Sequence, residues 1–550
     1  MPSVMLAHTL RALRRSSPYI GAGLATAAAA QALAPTPAAS AGGWVQLAPL
    51  ASKGGGDVVH RVVEVARPGT GIETTDHEFD VPLDWAAAGG ERLTVFAREV
   101  VSLRHAEDRE SLPWLVFLQG GPGGASPRPS GASGWMKRAL EDYRVLLLDQ
   151  RGTGNSTLVS SETLIDRFGD DDEAIAAYLG HFRADAIVAD AEAMRVILAG
   201  AETKWSTLGQ SYGGFLTLHY LSVAPEALKA CFVAGGMATV TRTADDVYTS
   251  TYPVVLARNR QYYSQYPGDV EKVRAIVRAL ADAPGGGVAL PGGGTLTPRR
   301  FLALGLGLGM TGGMEQLHWM IEGAFRHDGR GLAFDFLRQV ENARELCPPL
   351  CPQPQTTHRS HPCLTAASPH RRRRLIVALL RSDTFDEGPI FGILHESIYQ
   401  SAAGQAPSNW AADRMLKEKY ENEFDWAANL RTEGAPINFT GEHIYPWMFE
   451  DFKALRPLKG AAEILAQRGD WAPLYDVEKL RDCPVPLAAA VYYSDIYVNL
   501  ELGNETAALL GGKTQMWITN EHQHSGLRDD GEAILDRLIK MTTGELHLPP

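Results

Sequence analysis

The chain has 550 residues, 45% of them hydrophobic, with 52 Lys and Arg against 64 Asp and Glu for a formal net charge of −12. That length buries a sizeable core in one large domain or two intimate ones, and the acidic balance argues against nucleic acid, whose phosphates need a basic surface. Apart from an Ala-rich stretch near the start, no apolar run is long enough for stable membrane insertion, and five unevenly placed cysteines make no disulfide framework.

Residues 1–56 carry Arg11, Arg14, Arg15 and Lys53 but no Asp or Glu, and are rich in Ala, Ser and Pro. This is the composition of a targeting peptide or an unstructured leader. An Arg-bearing, acid-free presequence suits a plastid or mitochondrion, whereas YIGAGLATAAAAQALA also suits the apolar part of a secretory signal. From residue 57 to 240 the pattern is a layered α/β core. LPWLVFLQG and YRVLLLDQRG are short apolar runs bounded by turn residues, as expected of buried parallel strands, since a half-exposed strand would alternate. DAIVADAEAMRVILAG has helical spacing and ends on Gly. WSTLGQ, YGGFLTLHYLSVAP and ACFVAGG then read as strand, helix and strand, which predicts a mostly parallel sheet with right-handed crossovers.

Residues 241–480 break this rhythm. They are rich in Trp, Tyr, Arg and Leu, read mainly as helix, and are too long for a loop. A helical cap over the strand ends, inserted before the last strands, is the simplest account. Within it, residues 346–382 are rich in Pro, Ser, Thr and Arg and predict no packed structure. Cys347, Cys351, Cys363, His358 and His361 do not follow a familiar zinc spacing, so no metal is expected; a disordered insertion or mistranslated intron accounts for the stretch. The core grammar returns at 481–550, with VPLAAAVYYSD and KTQMWITNEHQH as strands and GEAILDRLIKM as the closing helix.

The chemistry concentrates where strands end. In GQSYG a Ser at a sharp strand-to-helix turn is lifted above the sheet, and Gly209 and Gly213 remove Cβ atoms that would collide with the neighbouring elements. Ser211 is therefore the candidate nucleophile, and the Tyr212 N–H at the helix start is a candidate oxyanion donor. The alternative is a plain Gly-rich turn. QGGPGG after the strand at 112–118 offers a second donor, assigned to Gly121. A Ser nucleophile needs a base and an orienting acid on loops after later strands. Asp495, just past LAAAVYY, and His524, just past TQMWIT, take these places. His522 is the local rival, and Asp482 precedes its strand and falls at the wrong end of the sheet.

Together QGGPGG, DQRGTGNS, GQSYGG, VYYSDIYV and NEHQHSGLR resemble the prolyl aminopeptidase (proline iminopeptidase) family of α/β-hydrolases, in its longer, large-capped form, from about residue 60 to the end except near 346–382. The resemblance implies an α/β-hydrolase fold, Ser211 as nucleophile, Asp495 as acid and His524 as base, no cofactor, and peptides with a free N-terminal proline as substrates. Asp149 and Arg151 belong to the same signature with a structural role. Gln119 departs from the His that many shorter relatives carry before Gly-Gly-Pro-Gly, with little expected harm because the donors are backbone groups. Holding a charged secondary ammonium in a partly dry pocket requires fixed carboxylates. Glu396 in LHESIYQS and Glu442 in TGEHIYPWMFED are the candidates, against the plainer reading of internal salt bridges. Tyr445, Trp447 and Phe449 are candidates for shaping the ring pocket. An esterase or broader aminopeptidase of the same fold, and a non-catalytic ligand-binding protein on the same scaffold, remain as rivals; sequence does not give the oligomeric state.

Overall fold

The computed structural model describes residues 58–87, 89–329, 331–342, 388–510 and 514–546. The leader at 1–56 and the insertion at 346–382 lie outside these residues. The core is a 9-stranded sheet. In chain order its strands are β1 (Val59–Ala66), β2 (Ile72–Pro82), β3 (Arg92–Ser102), β4 (Trp114–Leu118), β5 (Arg144–Asp149), β6 (Trp205–Gln210), β7 (Leu228–Ala234), β8 (Leu487–Tyr492) and β9 (Thr514–Thr519). Their spatial order is β1-β2-β3-β5-β4-β6-β7-β8-β9. From β5 to β9 all pairings are parallel, as the unbroken apolar runs predict.

The reason for those runs is burial on both faces. Trp114, Val116 and Leu118 of β4 join one apolar core, with the helices Ala184–Ala199 and Tyr212–Val223. Leu115 and Phe117 join the other, with the helices Gly134–Asp142 and Gly531–Thr543. Phe117 stacks on Trp135 with centroids 4.7 Å apart. The antiparallel start of the sheet, β1-β2-β3, is a feature that the sequence reading did not resolve. β1 is the edge, and Val59, Val62, Val63 and Val65 are exposed on it.

Between β7 and β8 the described residues are mainly helical. The longest helix, Ala244–Gln265, starts in a capping box formed by Thr243 and Asp246. The Tyr252 hydroxyl donates to the Ala412 carbonyl at 2.7 Å, tying this helix to the helix Ala411–Lys419. The insertion lies against the loops at the carboxyl ends of the strands, where ligands bind in parallel α/β sheets. A Cβ on Gly123, after β4, would come within 3.1 Å of Ile390 Cβ, and the Phe215 ring lies 6.0 Å from Tyr399. Among the described residues no helix is long and apolar enough to cross a membrane.

Candidate active site

Ser211 follows β6 directly, with φ 53° and ψ −122°, a left-handed backbone that a residue with a Cβ adopts only under constraint. The constraint is visible on both sides. The Ser211 N–H bonds the Ala234 carbonyl at 3.0 Å, carrying the β6–β7 ladder into the turn, and its carbonyl accepts from the Gly214 N–H at 2.7 Å. A Cβ on Gly209 would lie 2.3 Å from Gly213 O, and one on Gly213 would lie 1.9 Å from Leu118 O. Only glycine lets strand and helix approach this closely.

The ends of β8 and β9 bring two further side chains to the hydroxyl. His524 Nε2 is 2.9 Å from Ser211 Oγ, and His524 Nδ1 is 2.7 Å from Asp495 Oδ2. A carboxylate only accepts, so the imidazole proton sits on Nδ1 and Nε2 is left to take the hydroxyl proton. Asp495 Oδ1 accepts from the Tyr497 and Val498 N–H groups at 2.8 and 3.1 Å, which fixes the carboxylate. Both residues are buried, and the Tyr497 ring packs on the imidazole at 4.3 Å. His522 lies instead beside Trp517, and Asp482 caps the exposed end of the helix Val477–Arg481, before β8.

The loop after β4 passes close to Ser211, because a Cβ on Gly120 would meet Ser211 Cβ at 2.9 Å. Gly121 follows with φ 127°. Tyr212 opens the helix, so its N–H has no intrahelical carbonyl to bond. Asp149 holds this region in place: its carboxylate accepts from the Ser126 and Asn155 N–H groups at 2.9 and 2.8 Å and pairs with Arg128. Arg151 is fully buried against Asp190 at 2.6 Å. Both are structural clamps.

Glu396 and Glu442 come from different parts of the insertion and have different surroundings. Glu396 Oε1 accepts from the Ala412 N–H at 3.0 Å, at the start of a helix, while its buried Oε2 has no hydrogen-bond partner. Burial pushes this carboxyl above its ordinary value, against the opposing pull of the Ala412 N–H, the Ser408 hydroxyl and the Ala411 N–H, which lie close enough to favour its charged form. Glu442 Oε2 is 3.6 Å from His395 Nε2 and its side chain keeps 13% exposure. Burial raises the phenol pKa values of Tyr248, Tyr399 and Tyr497, and both Glu442 and a second carboxylate add to each rise: Glu396 at Tyr248, Asp495 at Tyr399 and Tyr497. Glu442 is thus near enough to act electrostatically on Tyr497, whose ring packs on the His524 imidazole. Tyr445, Trp447 and Phe449 pack within the insertion, Tyr445 on Trp447 at 5.5 Å and Phe449 on Trp410 at 5.6 Å. The rings near the carboxylates are Tyr248, Tyr399 and Tyr497.

Sequence reasoning missed the support that the insertion gives to His524. The His524 N–H bonds the Gly309 carbonyl at 3.2 Å, and the Thr311 N–H bonds Ser525 Oγ at 3.0 Å. Arg258 holds the neighbouring Leu308 carbonyl at 3.0 and 2.6 Å. The only hint was the run ALGLGLGMTGG, whose glycines leave backbone groups accessible. His395 was also passed over, although it adjoins Glu396 in LHESIYQS.

A family model described as the alpha/beta hydrolase fold matches residues 113–271. The proline iminopeptidase of Aeromonas sobria is 41% identical over 473 residues, 86% of this chain and 97% of that protein. A proline iminopeptidase of Aspergillus aculeatus is 32% identical over 474 residues, 85% of this chain and 93% of that one. With a strained serine on a parallel sheet, an imidazole and a carboxylate in line behind it, and near full-length similarity to these relatives, the chain belongs to the proline iminopeptidase family of α/β-hydrolases.

Proposed function

We propose that this chain is a serine aminopeptidase that releases proline from the N-terminus of peptides, with Ser211, His524 and Asp495 as its catalytic residues. The observation that carries the reading is the unbroken contact line from Ser211 Oγ through His524 to Asp495 Oδ2, in a chain so similar to known proline iminopeptidases. Ser211 Oγ attacks the carbonyl carbon of the N-terminal residue while its proton passes to His524 Nε2. The resulting oxyanion is received by the Gly121 and Tyr212 N–H groups. Collapse breaks the C–N bond, and His524 returns the proton to the leaving amine. Water then attacks the prolyl ester, giving a proton to His524, which hands it to Ser211 as free proline departs. Asp495 keeps the imidazole in the tautomer that each transfer needs.

The preference for a free N-terminus comes from the insertion. Glu442 receives the substrate's ammonium, and Glu396 Oε2, buried without a partner, is the second acceptor. An arriving cation satisfies a carboxylate that is otherwise costly to bury. Triad chemistry is shared by esterases and broader aminopeptidases, so the test compares substrates. A charge-assisted contact is worth about 1.5–3 kcal/mol, so Glu442→Gln or Glu396→Gln should lower kcat/KM for proline 4-nitroanilide about ten- to a hundredfold. Hydrolysis of 4-nitrophenyl acetate, which has no ammonium, should change little. An equal fall on both substrates would assign the carboxylates to the fold. Absence of labelling at Ser211 by a fluorophosphonate would remove the enzyme reading altogether.

A further inference from the structure

Arg258 lies on the helix Ala244–Gln265 and is 6% exposed. Its Nε and Nη2 both donate to the Leu308 carbonyl, at 3.0 and 2.6 Å, and its Nη1 donates to Gln261 Oε1 at 2.7 Å. Among the described residues its hydrogen-bond partners are these neutral oxygens, and a cation buried without a carboxylate partner costs stability. Two charge-assisted bonds converge on one oxygen and fix the peptide unit between Leu308 and Gly309. Gly309 then meets both halves of the His524–Asp495 pair. Its carbonyl accepts from the His524 N–H at 3.2 Å. On its other side an added Cβ would stand 2.2 Å from the Tyr497 ring and 2.6 Å from Ile496 Cγ1, in the turn that carries Asp495. Tyr497 donates its N–H to Asp495 Oδ1 at 2.8 Å, packs its ring on the imidazole at 4.3 Å, and bonds the Leu306 carbonyl through its hydroxyl.

We infer that Arg258 is a positioning residue for the His524–Asp495 pair: by fixing the peptide unit before Gly309, it sets where the imidazole meets the Ser211 hydroxyl. This rests on the reading of His524 as the base. Released from Arg258, the Leu308–Gly309 unit can withdraw from both turns. The imidazole then loses a backbone anchor that keeps its Nε2 2.9 Å from Ser211 Oγ. Ser211 must hand its proton to that nitrogen whether the substrate is an amide or an ester. The loss therefore falls on kcat for both and leaves binding in place.

The test compares Arg258→Met, of similar length but without a donor, with Arg258→Lys, which keeps a charged donor for the Leu308 carbonyl. It measures kcat and KM on proline 4-nitroanilide and on 4-nitrophenyl acetate, with kcat expressed per Ser211 titrated to completion by a fluorophosphonate. A partly unfolded variant titrates fewer serines, so loss of fold alone leaves the value per site unchanged. In Arg258→Met this kcat should fall about ten- to thirtyfold on both substrates with KM within about twofold, and Arg258→Lys should recover to within about threefold of the wild type. The downfield proton resonance of the His524 Nδ1–Asp495 hydrogen bond should shift or broaden in Arg258→Met and return in Arg258→Lys. A wild-type kcat per site in Arg258→Met, a fall confined to KM or to one substrate, or a lysine variant as impaired as the methionine one overturns the inference. Should Arg258→Met not fold, Arg258→Gln takes its place, and a wild-type kcat per site there has the same meaning. His524→Ala separates the two claims: activity near wild type in that variant overturns the base itself, whereas its loss, with kcat unchanged in Arg258→Met, overturns only the role of Arg258.

Discussion

The His524 imidazole is fixed at both nitrogens, by Asp495 at 2.7 Å and Ser211 at 2.9 Å, so its tautomer is set before a substrate arrives. Ser211→Ala or His524→Ala should therefore lower turnover by about three to six orders of magnitude with the fold intact. Activity near wild type in His524→Ala, with loss in His522→Ala, would transfer the base to the neighbour. Glu396 makes a separate prediction, read in stability. Burial raises its carboxyl above the ordinary 4.5, so the folded chain binds this proton more tightly than the unfolded chain. That contribution is complete below the unfolded value and is lost as pH rises through the folded one. Glu396→Gln has no such proton to lose, and it retains an acceptor for the Ala412 N–H. Its Tm, relative to the wild type, should climb as pH rises from about 4 to 7; a constant or falling difference in thermal unfolding would show that the carboxylate is not penalised. That Ser211, Asp495 and His524 would meet was legible in the sequence because each follows a strand within a few residues; their catalytic roles are what we propose. The surroundings of Glu396 were not, because its 3.0 Å partner is the Ala412 N–H, a backbone group that any residue supplies, and Ser408 beside it is twelve residues away in the chain.

Among the elements, the 3-10 helix Ala303–Gly309 and the residues after it connect the insertion to the loop that carries His524. Ser525 Oγ accepts from the Thr311 N–H at 3.0 Å and donates to Asp529 at 2.6 Å, next to His524 in the chain. Ser525→Ala leaves that N–H without its acceptor and loosens the loop. A cost of about 1–2 kcal/mol should appear as a roughly five- to thirtyfold lower kcat, with KM within about twofold. A change confined to KM would mean that the loop shapes binding instead. The parallel strands β4 to β9 could be read because burial on both faces forces continuous apolar runs. β2 and β3 could not, because their buried polar residues pair across the ladder. Asp76 stands opposite Arg98 in register and bonds it at 2.6 and 2.8 Å, and His77 reaches Glu99 at 3.5 Å. In one dimension these residues read as exposed loop; the partner that makes their burial tolerable lies on another strand.

For the molecule as a whole, contacts across the insertion join it to the core at several points: Gly309 to His524, Leu306 to the Tyr497 hydroxyl, and Ser397 and Gln400 to Arg183. The described residues between 58 and 546 accordingly belong to one compact unit. Urea unfolding followed by near-UV circular dichroism and by residual activity should give a single coincident transition. An earlier loss of activity, with the sheet still folded, would make the insertion an independently melting unit. The Ser211–His524 contact spans 313 residues of sequence. On a ribosome adding about 5–20 residues per second, the serine emerges roughly 15–60 s before its base. For most of that interval, between the synthesis of β7 and that of β8, β6 and β7 can pair while β7 offers a bare apolar edge to other nascent chains. Until His524 has been made and its loop placed, the Ser211 hydroxyl also lacks the imidazole that stands 2.9 Å from it in the folded chain.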